Sequence, residues 1–183
     1  MGIVMVTGGA RSGKSTFAEN IARESGRTVG YIATATVTDE DMRHRIERHK
    51  ASRPDEWMTF ERHSGFSALL EDTRFSSCDT LILDCLTVMI ASHMFESNLD
   101  FDGCDLDEVG LLESRIIAEV DTLLDGIGGK SLIVVTNEVG QGIVPAYRMG
   151  SIFRDMAGRL NMHVAAKADE VYCMISGLPM KLK

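Results

Sequence analysis

The segment that most limits the possible folds of this chain is GGARSGKS at residues 8–15, which matches the phosphate-binding pattern G-x-x-x-x-G-K-[ST]. It follows an apolar run at 3–7 that is typical of a buried strand, and it opens an amphipathic helical pattern at 14–25. Gly8 and Gly13 allow consecutive backbone N–H groups to converge on phosphate oxygens, and the positive end of the following helix faces them. The context therefore predicts a strand, a loop and a helix that together bind a nucleoside triphosphate.

Apolar runs alternate with helical patterns along the rest of the chain. Further strands are predicted at 28–34, 57–62, 80–85, 131–136 and 171–176, and further helices at 38–50, 106–126 and 152–169. The acidic segment at 96–108 is the best candidate for a long loop. This alternation predicts one α/β domain over residues 1–183, with a mostly parallel sheet and helices on both faces.

Polar residues occur where two of the predicted strands end. Asp84 closes the run LILD, where a carboxylate can hold the water shell of a metal ion, although it could instead cap a following helix. Asn137 and Glu138 follow the strand at 131–136. Polar residues at the carboxyl ends of parallel strands face the ligand crevice, and the sequence does not rank these two.

The segment RHRIERHKASRP at residues 43–54 holds five Lys or Arg residues in a chain whose formal net charge is −8. One interpretation is a solvated basic helix face. The other is that Arg48, Lys50 and Arg53 hold a polyphosphate against His49, because a neutral imidazole is a good nucleophile near pH 7. The residue pattern alone leaves both interpretations open.

The remaining basic groups have simpler interpretations. Arg148, Arg154 and Arg159 flank or lie on the last predicted helix, and any one of them could contact a phosphate. Ordinary surface positions are favoured for each. His63 is expected at the surface, and His93, in an apolar run, is expected to be packed.

The charge and cysteine content exclude several classes of protein. The acidic balance argues against general binding of nucleic acid or anionic membranes. No stretch approaches the roughly 20 apolar residues that a membrane helix needs, and the N-terminal segment does not resemble a signal peptide. The four cysteines show no CxxC or metal-ligand spacing. A cytoplasmic protein in a reducing compartment is expected.

Several segments together resemble the bifunctional adenosylcobinamide kinase/adenosylcobinamide-phosphate guanylyltransferase family. They are, in order, TGGARSGKS, YIAT, RIERHKASRP, VTNEVGQGIVP and FRDMAGRLNMHVAAKADEVY. The resemblance runs from residue 4 to the C-terminus and is weakest over about 64–125. It implies a RecA-like P-loop NTPase fold, a homotrimer and two reactions: phosphorylation of adenosylcobinamide by ATP or GTP, then transfer of GMP from GTP to adenosylcobinamide phosphate.

The resemblance also assigns roles to residues of this chain. It implies that His49 is the histidine that becomes guanylylated, that Lys14 is catalytic, and that Ser15 and Asp84 hold Mg²⁺. Relatives often have Glu where this chain has Asp84. The implied nucleotide-binding residues are Gly8, Gly9, Ala10, Arg11, Ser12, Gly13, Lys14, Ser15, Ala33, Thr34, Ala35, Lys50, Ala51, Ser52, Arg53, Glu61 and Asp84.

Two other functions are compatible with a phosphate-binding loop. One is a P-loop kinase for another small metabolite, without nucleotidyl transfer. The other is a nucleotide-binding regulatory module with little turnover. Covalent labelling by GTP separates both from the bifunctional enzyme, because only the bifunctional enzyme forms a guanylylated histidine.

Overall fold

Strands and helices alternate along the chain as the sequence pattern predicts. The computed structural model describes residues 2–35, 40, 43, 44, 46, 50 and 53–183. Its strands are β1 (Ile3–Gly8), β2 (Val29–Ala33), β3 (Met58–Glu61), β4 (Thr80–Asp84), β5 (Ser131–Val135), β6 (Glu170–Ile175) and β7 (Leu178–Lys181). Its helices are α1 (Lys14–Glu24), α2 (Phe66–Leu70), α3 (Thr73–Ser76), α4 (Leu86–Glu96), α5 (Leu106–Gly126) and α6 (Arg148–Lys167). The described residues of the predicted helix at 38–50 are helical too.

The seven strands form one sheet in the order β3-β2-β4-β5-β1-β6-β7. All neighbouring strands are parallel except β6 and β7, which form an antiparallel hairpin at one edge. The order places β5 between β1, which leads into the phosphate loop, and β4, which ends in Asp84. This separation of the two strands agrees with the expected RecA-like P-loop NTPase fold.

Helices cover both faces of the sheet, as predicted. On β5, Leu132 and Val134 belong to the larger core, which includes the buried faces of α4, α5 and α6. Ile133 and Val135 belong to the smaller core beneath α1. Successive residues of a strand point to opposite faces, so a continuous apolar run indicates a strand covered on both sides.

Helix α4 and strand β7 are elements that the sequence patterns did not predict. Leu86, Met89, Ile90 and Met94 of α4 are all at most 1% exposed, because this helix packs against α5 and α6. A helix that is apolar on most sides has no amphipathic period to detect. Strand β7 is exposed along its whole length and so lacks the alternation of a half-buried strand.

Two predicted boundaries are corrected by the structure. Helix α6 begins at Arg148, four positions before the predicted 152. The Arg148 side chain donates to the backbone oxygens of Phe101, at 2.6 Å, and Cys104, at 2.8 Å, which ties the first turn to the loop between α4 and α5. That loop spans only 97–105, since α4 ends at Glu96 and α5 begins at Leu106.

None of the described helices is long and apolar enough to cross a membrane.

Candidate active site

The loop between β1 and α1 has the backbone geometry that phosphate binding requires. Gly8 has a φ of 141° and Gly13 a φ of 93°, values that favour glycine. A Cβ atom at Gly8 would lie 2.5 Å from the backbone oxygen of Met174, so β6 leaves no room for a side chain. Helix α1 begins at Lys14, and the first N–H groups of a helix have no partner within it. These groups are available to an anion.

The Lys14 side chain is buried within the loop. It is 7% exposed, and its Nζ donates to the backbone oxygen of Gly9 at 2.6 Å. Burial lowers the pKa of Lys14 from its ordinary value, and the neighbouring Cys85 and Asp84 oppose that shift. A phosphate oxygen would be a stronger partner for this ammonium than a neutral carbonyl, because the attraction between opposite charges adds to the hydrogen bond.

Two buried hydroxyl groups border the loop without a partner among the described residues. They belong to Thr7, at the end of β1, and to Ser12, whose oxygen lies beside Gly8. Leaving a buried polar group unpaired costs about 1–3 kcal/mol. A phosphate or water bound in the loop would pair with them, so the loop has the properties of a ligand site.

The ends of four parallel strands lie side by side next to the phosphate loop. The register aligns Ala33, Asp84, Val135 and Val6 across β2, β4, β5 and β1. The polar residues that follow these positions therefore meet at one edge of the sheet. We refer to this edge, together with the loop at 8–15, as the crevice.

Asp84 is held at the crevice by a tyrosine. Its Oδ2 accepts a hydrogen bond from the hydroxyl of Tyr31 on β2, at 2.5 Å. Burial, followed by the charge and hydrogen bond of Asp84, raises the pKa of Tyr31 above its ordinary value, so this hydroxyl stays protonated and donates. The N-cap of α4 is Cys85, and no side chain caps that helix. The alternative role of Asp84 as a helix cap is therefore wrong.

Thr34 secures the end of β4 beside Asp84. Its hydroxyl donates to the backbone oxygen of Cys85 and accepts from the backbone nitrogen of the same residue, both at 2.8 Å. Its own backbone nitrogen donates to the backbone oxygen of Asp84 at 3.1 Å. The hydroxyl of Thr34 is thus engaged in hydrogen bonds within the protein. The backbone of the implied nucleotide segment 33–35 borders Asp84.

The structure distinguishes Asn137 from Glu138, which the sequence could not rank. Asn137 follows β5, and its Nδ2 donates to the hydroxyl of Thr87 at 2.6 Å. Its backbone oxygen accepts from Nδ2 of Asn161 at 3.1 Å. Glu138 donates its backbone N–H to the oxygen of Gly8, but its carboxylate turns back to the nitrogen of Gly140, at 2.8 Å. Asn137 is the anchored side chain between the phosphate loop and Asp84.

Part of the basic segment is joined to the same region. Nζ of Lys50 lies 3.0 Å from Oε1 of Glu61 at the end of β3. The guanidinium of Arg53 lies over the ring of Tyr31, with Cζ 3.7 Å from the ring centroid. The structure therefore brings Lys50, Glu61 and Arg53 next to β2 and Asp84. The other members predicted from this segment, Arg48, His49, Ala51 and Ser52, lie outside the described residues.

The three arginines near α6 are engaged in contacts of their own. Arg148 binds the backbone oxygens already described, Arg154 pairs with Asp155 at 2.9 Å, and Arg159 pairs with Glu113 at 2.6 Å. These contacts favour structural roles over phosphate binding.

The two neighbouring histidines differ in how well the sequence predicted them. The side chain of His63 contacts the exposed Glu96 at 2.9 Å but is itself only 13% exposed, so His63 lies at the surface in a partly covered position. The structure confirms that His93 is packed, since its Nε2 lies 3.1 Å from the backbone oxygen of His63.

Three residues of the crevice were not singled out from the sequence. Tyr31 is 1% exposed, and Trp57 stacks near it with ring centroids 6.4 Å apart. Glu19 on α1 is half-buried, and burial followed by the charge of Asp84 raises its pKa. A signal existed for Tyr31, because a phenol in an otherwise aliphatic buried strand needs a hydrogen-bond partner.

The two residues that the family resemblance assigns to a cation both offer oxygen atoms. Asp84 offers a carboxylate and Ser15 a hydroxyl. Within the part of the chain that the structure describes, no group of three or more His, Cys, Asp or Glu side chains could hold a metal ion. Such a small, all-oxygen set fits Mg²⁺, which keeps several waters and takes phosphate oxygens as further ligands. It does not fit zinc, which prefers nitrogen and sulfur.

Comparison with known proteins gives a consistent result along almost the whole chain. The profile of the family described as cobinamide kinase / cobinamide phosphate guanyltransferase matches residues 4–182. A protein of Escherichia coli K12, the bifunctional adenosylcobalamin biosynthesis protein CobU, is 38% identical over 99% of both chains. The Pseudomonas aeruginosa bifunctional adenosylcobalamin biosynthesis protein CobP is 37% identical over 98% of this chain and 96% of the relative.

Proposed function

Because the chain belongs to the cobinamide kinase/cobinamide phosphate guanyltransferase family, we propose that it catalyses two successive steps of cobalamin biosynthesis. First, it phosphorylates the aminopropanol hydroxyl of adenosylcobinamide with ATP or GTP. Second, it transfers GMP from GTP to adenosylcobinamide phosphate, which yields adenosylcobinamide-GDP. The observation that supports this most is that Lys14, the loop glycines and Asp84 border one crevice in a chain matched over 4–182.

In the kinase step, the triphosphate lies in the loop formed by residues 8–15. Lys14 exchanges the carbonyl of Gly9 for the β- and γ-phosphates, and the acceptor hydroxyl approaches from the open side of the crevice. Asp84 and Ser15 would hold Mg²⁺. When bound, this ion neutralises charge on the phosphate oxygens.

In the guanylyl step, a ring nitrogen of His49 attacks the α-phosphorus of GTP. A P–N bond forms, the bond between the α-phosphorus and the bridging oxygen breaks, and pyrophosphate leaves. An oxygen of adenosylcobinamide phosphate then attacks the same phosphorus and releases the imidazole. The residues that follow His49 in the sequence support this role for it. Lys50 contacts Glu61, and Arg53 contacts Tyr31 beside Asp84.

Intact-mass spectrometry after incubation with GTP tests the proposal. The parent enzyme should gain one guanylyl group per chain, which acid should remove and adenosylcobinamide phosphate should discharge. His49→Ala should abolish the adduct, since no nucleophile remains, while phosphorylation of adenosylcobinamide should persist at least in part. The matched control is His44→Ala in the same basic segment, which should form the adduct normally.

Two results would contradict the guanylyl step. An adduct on His49→Ala equal to that on the parent would assign the nucleophile elsewhere. A parent enzyme that phosphorylates adenosylcobinamide but never gains a guanylyl group would be a plain kinase, the main alternative.

We also propose that the enzyme is a cytoplasmic homotrimer whose active site lies near a subunit boundary. Ile143 is 96% exposed, Val144 65% and Tyr147 67%, and all three lie in the loop that follows Asn137. Adjacent exposed apolar side chains are typical of surfaces covered by a partner. All four cysteines are free thiols, which agrees with a reducing compartment.

A further inference from the structure

Tyr31 contacts two charged groups on the β2 side of the crevice. Its hydroxyl donates to Oδ2 of Asp84 at 2.5 Å. The face of its ring carries the guanidinium of Arg53, with Cζ 3.7 Å from the centroid. The side chain is 1% exposed, so both contacts occur away from bulk water, where they are strongest.

The contact with Asp84 determines how that carboxylate can be used. Asp84 ends β4, in register with Ala33 on β2, and Tyr31 reaches it from two residues earlier on β2. The hydrogen bond occupies Oδ2 and fixes the rotation of the carboxylate. The carboxylate that would hold a cation is thereby kept in one orientation. Fixing a ligand through a second group is a general way to tune metal affinity.

The contact with Tyr31 also determines where the guanidinium of Arg53 lies. Its Nε is buried and has no hydrogen-bond partner among the described residues. Attraction to the ring face holds the guanidinium in place, while its Nε–H can still bind a phosphate oxygen. The stack therefore holds a phosphate-binding group at a set distance from Asp84.

We propose that Tyr31 is a positioning residue, which holds the metal-binding carboxylate of Asp84 and the phosphate-binding guanidinium of Arg53 in the arrangement that a metal-bound nucleotide requires. The inference rests on the proposed function, because that function assigns the metal and the nucleotide to this crevice. It adds a role for a residue that itself touches neither of them.

The test uses Tyr31→Phe, which keeps the ring and the stack but removes the hydroxyl. Trp57, the single tryptophan of the sequence, stacks near Tyr31 and reports binding by its fluorescence. The probe is the GTP analogue with a methylene bridge between its α- and β-phosphates, which cannot release pyrophosphate. Tyr31→Phe should raise the Mg²⁺ concentration for half-maximal binding about tenfold, the effect of losing a hydrogen bond to a charged group. Affinity measured in EDTA should change less than about twofold.

Tyr172→Phe is the matched control. The hydroxyl of Tyr172 also donates to a carboxylate, that of Glu170, at 2.5 Å, but β6 lies on the other side of β1 from β4. Its Mg²⁺ titration should superimpose on that of the parent. An equal shift in both variants would assign the effect to general loosening of the sheet and would overturn the proposal.

The double variant Tyr31→Phe/Asp84→Asn provides an independent measurement. If Tyr31 acts through Asp84, the double variant should need no more Mg²⁺ than Asp84→Asn alone. Additive shifts, or a Tyr31→Phe titration identical to that of the parent, would overturn the inference. The proposed function fails separately: a parent enzyme that binds the analogue but neither phosphorylates adenosylcobinamide nor gains GMP would refute it, while the fluorescence titration would still decide the role of Tyr31.

Discussion

Two cationic groups of the crevice lie in unusually buried positions. Lys14 is 7% exposed, and Nε of Arg53 is buried. A cation out of water interacts more strongly with a phosphate, because less solvent screens the pair. The same burial makes each group expensive to hold without an anion, so the site is organised for a highly charged ligand.

Lys14→Ala should abolish both reactions, because each needs the triphosphate held in one orientation. Losing a charge-assisted contact in a buried site should cost about 3 kcal/mol or more in transition-state stabilisation, which corresponds to a rate more than about a hundredfold lower. Kinase rates and guanylylation, both measured under saturating nucleotide, check this. A variant with near-normal kinase activity would refute the assignment of the phosphate loop.

Lys130→Ala is the control for that substitution. Nζ of Lys130 also donates to backbone oxygens, including that of Ser76 at 2.7 Å, but it lies just before β5, at the opposite end of the strands from the crevice. Its loss should lower stability and leave the rate per folded molecule unchanged.

Among the secondary-structure elements, α5 carries the clearest local signal for where it starts. Asp105 is its N-cap, and its Oδ1 accepts from the backbone nitrogen of Glu108 at 2.9 Å. Oε2 of Glu108 accepts from the backbone nitrogen of Asp105 at 3.0 Å, which completes a capping box. This box explains why the predicted and observed starts of the helix agree at Leu106.

Asp105→Ala should lower the free energy of unfolding by about 1 kcal/mol, because the backbone N–H of Glu108 loses its partner. In a chain of this size that corresponds to a fall in Tm of roughly 2–4 °C, measured by calorimetry. Asp107→Ala, in the first turn of the same helix but not its cap, should cost only a few tenths of a kcal/mol. Equal losses in the two variants would show that the box does not stabilise α5.

At the scale of the whole molecule, the surface includes a group of exposed apolar side chains in the loop that leaves the crevice after β5. Ile143, Val144 and Tyr147 extend from the loop between β5 and α6. A chain with a formal charge of −8 resists nonspecific association, so these side chains support the proposed subunit contact.

Light scattering at micromolar concentration should report a mass three times that of one chain. Ile143→Asp should shift the protein towards the monomer and lower guanylyl transfer, because it places a charge in the proposed interface. Leu106→Asp alters another exposed apolar residue, 79% exposed at the start of α5, and should leave the trimer intact. A stable monomer of the parent protein would reject the assembly.

Local patterns in the sequence were sufficient to predict several elements of this protein. The phosphate loop, the strand before it, the helix after it and the capped start of α5 all depend on residues a few positions apart. Asp84 could be assigned to a strand end because a carboxylate terminates a buried apolar run. Hydrogen-bonding and burial requirements within a short segment determine such features, and a single segment displays them directly.

Only the tertiary structure decided how distant segments share the crevice. Tyr31 and Asp84 are 53 positions apart, and the order of strands alone places Asn137 between the phosphate loop and Asp84. Helix α4 shows no amphipathic period because it is buried between other elements. These features depend on which faces pack together. The packing that forms is the one that buries the most apolar surface over the whole chain. The hydrophobic periodicity of a segment indicates that a residue is buried, whereas the fold determines which residue it packs against.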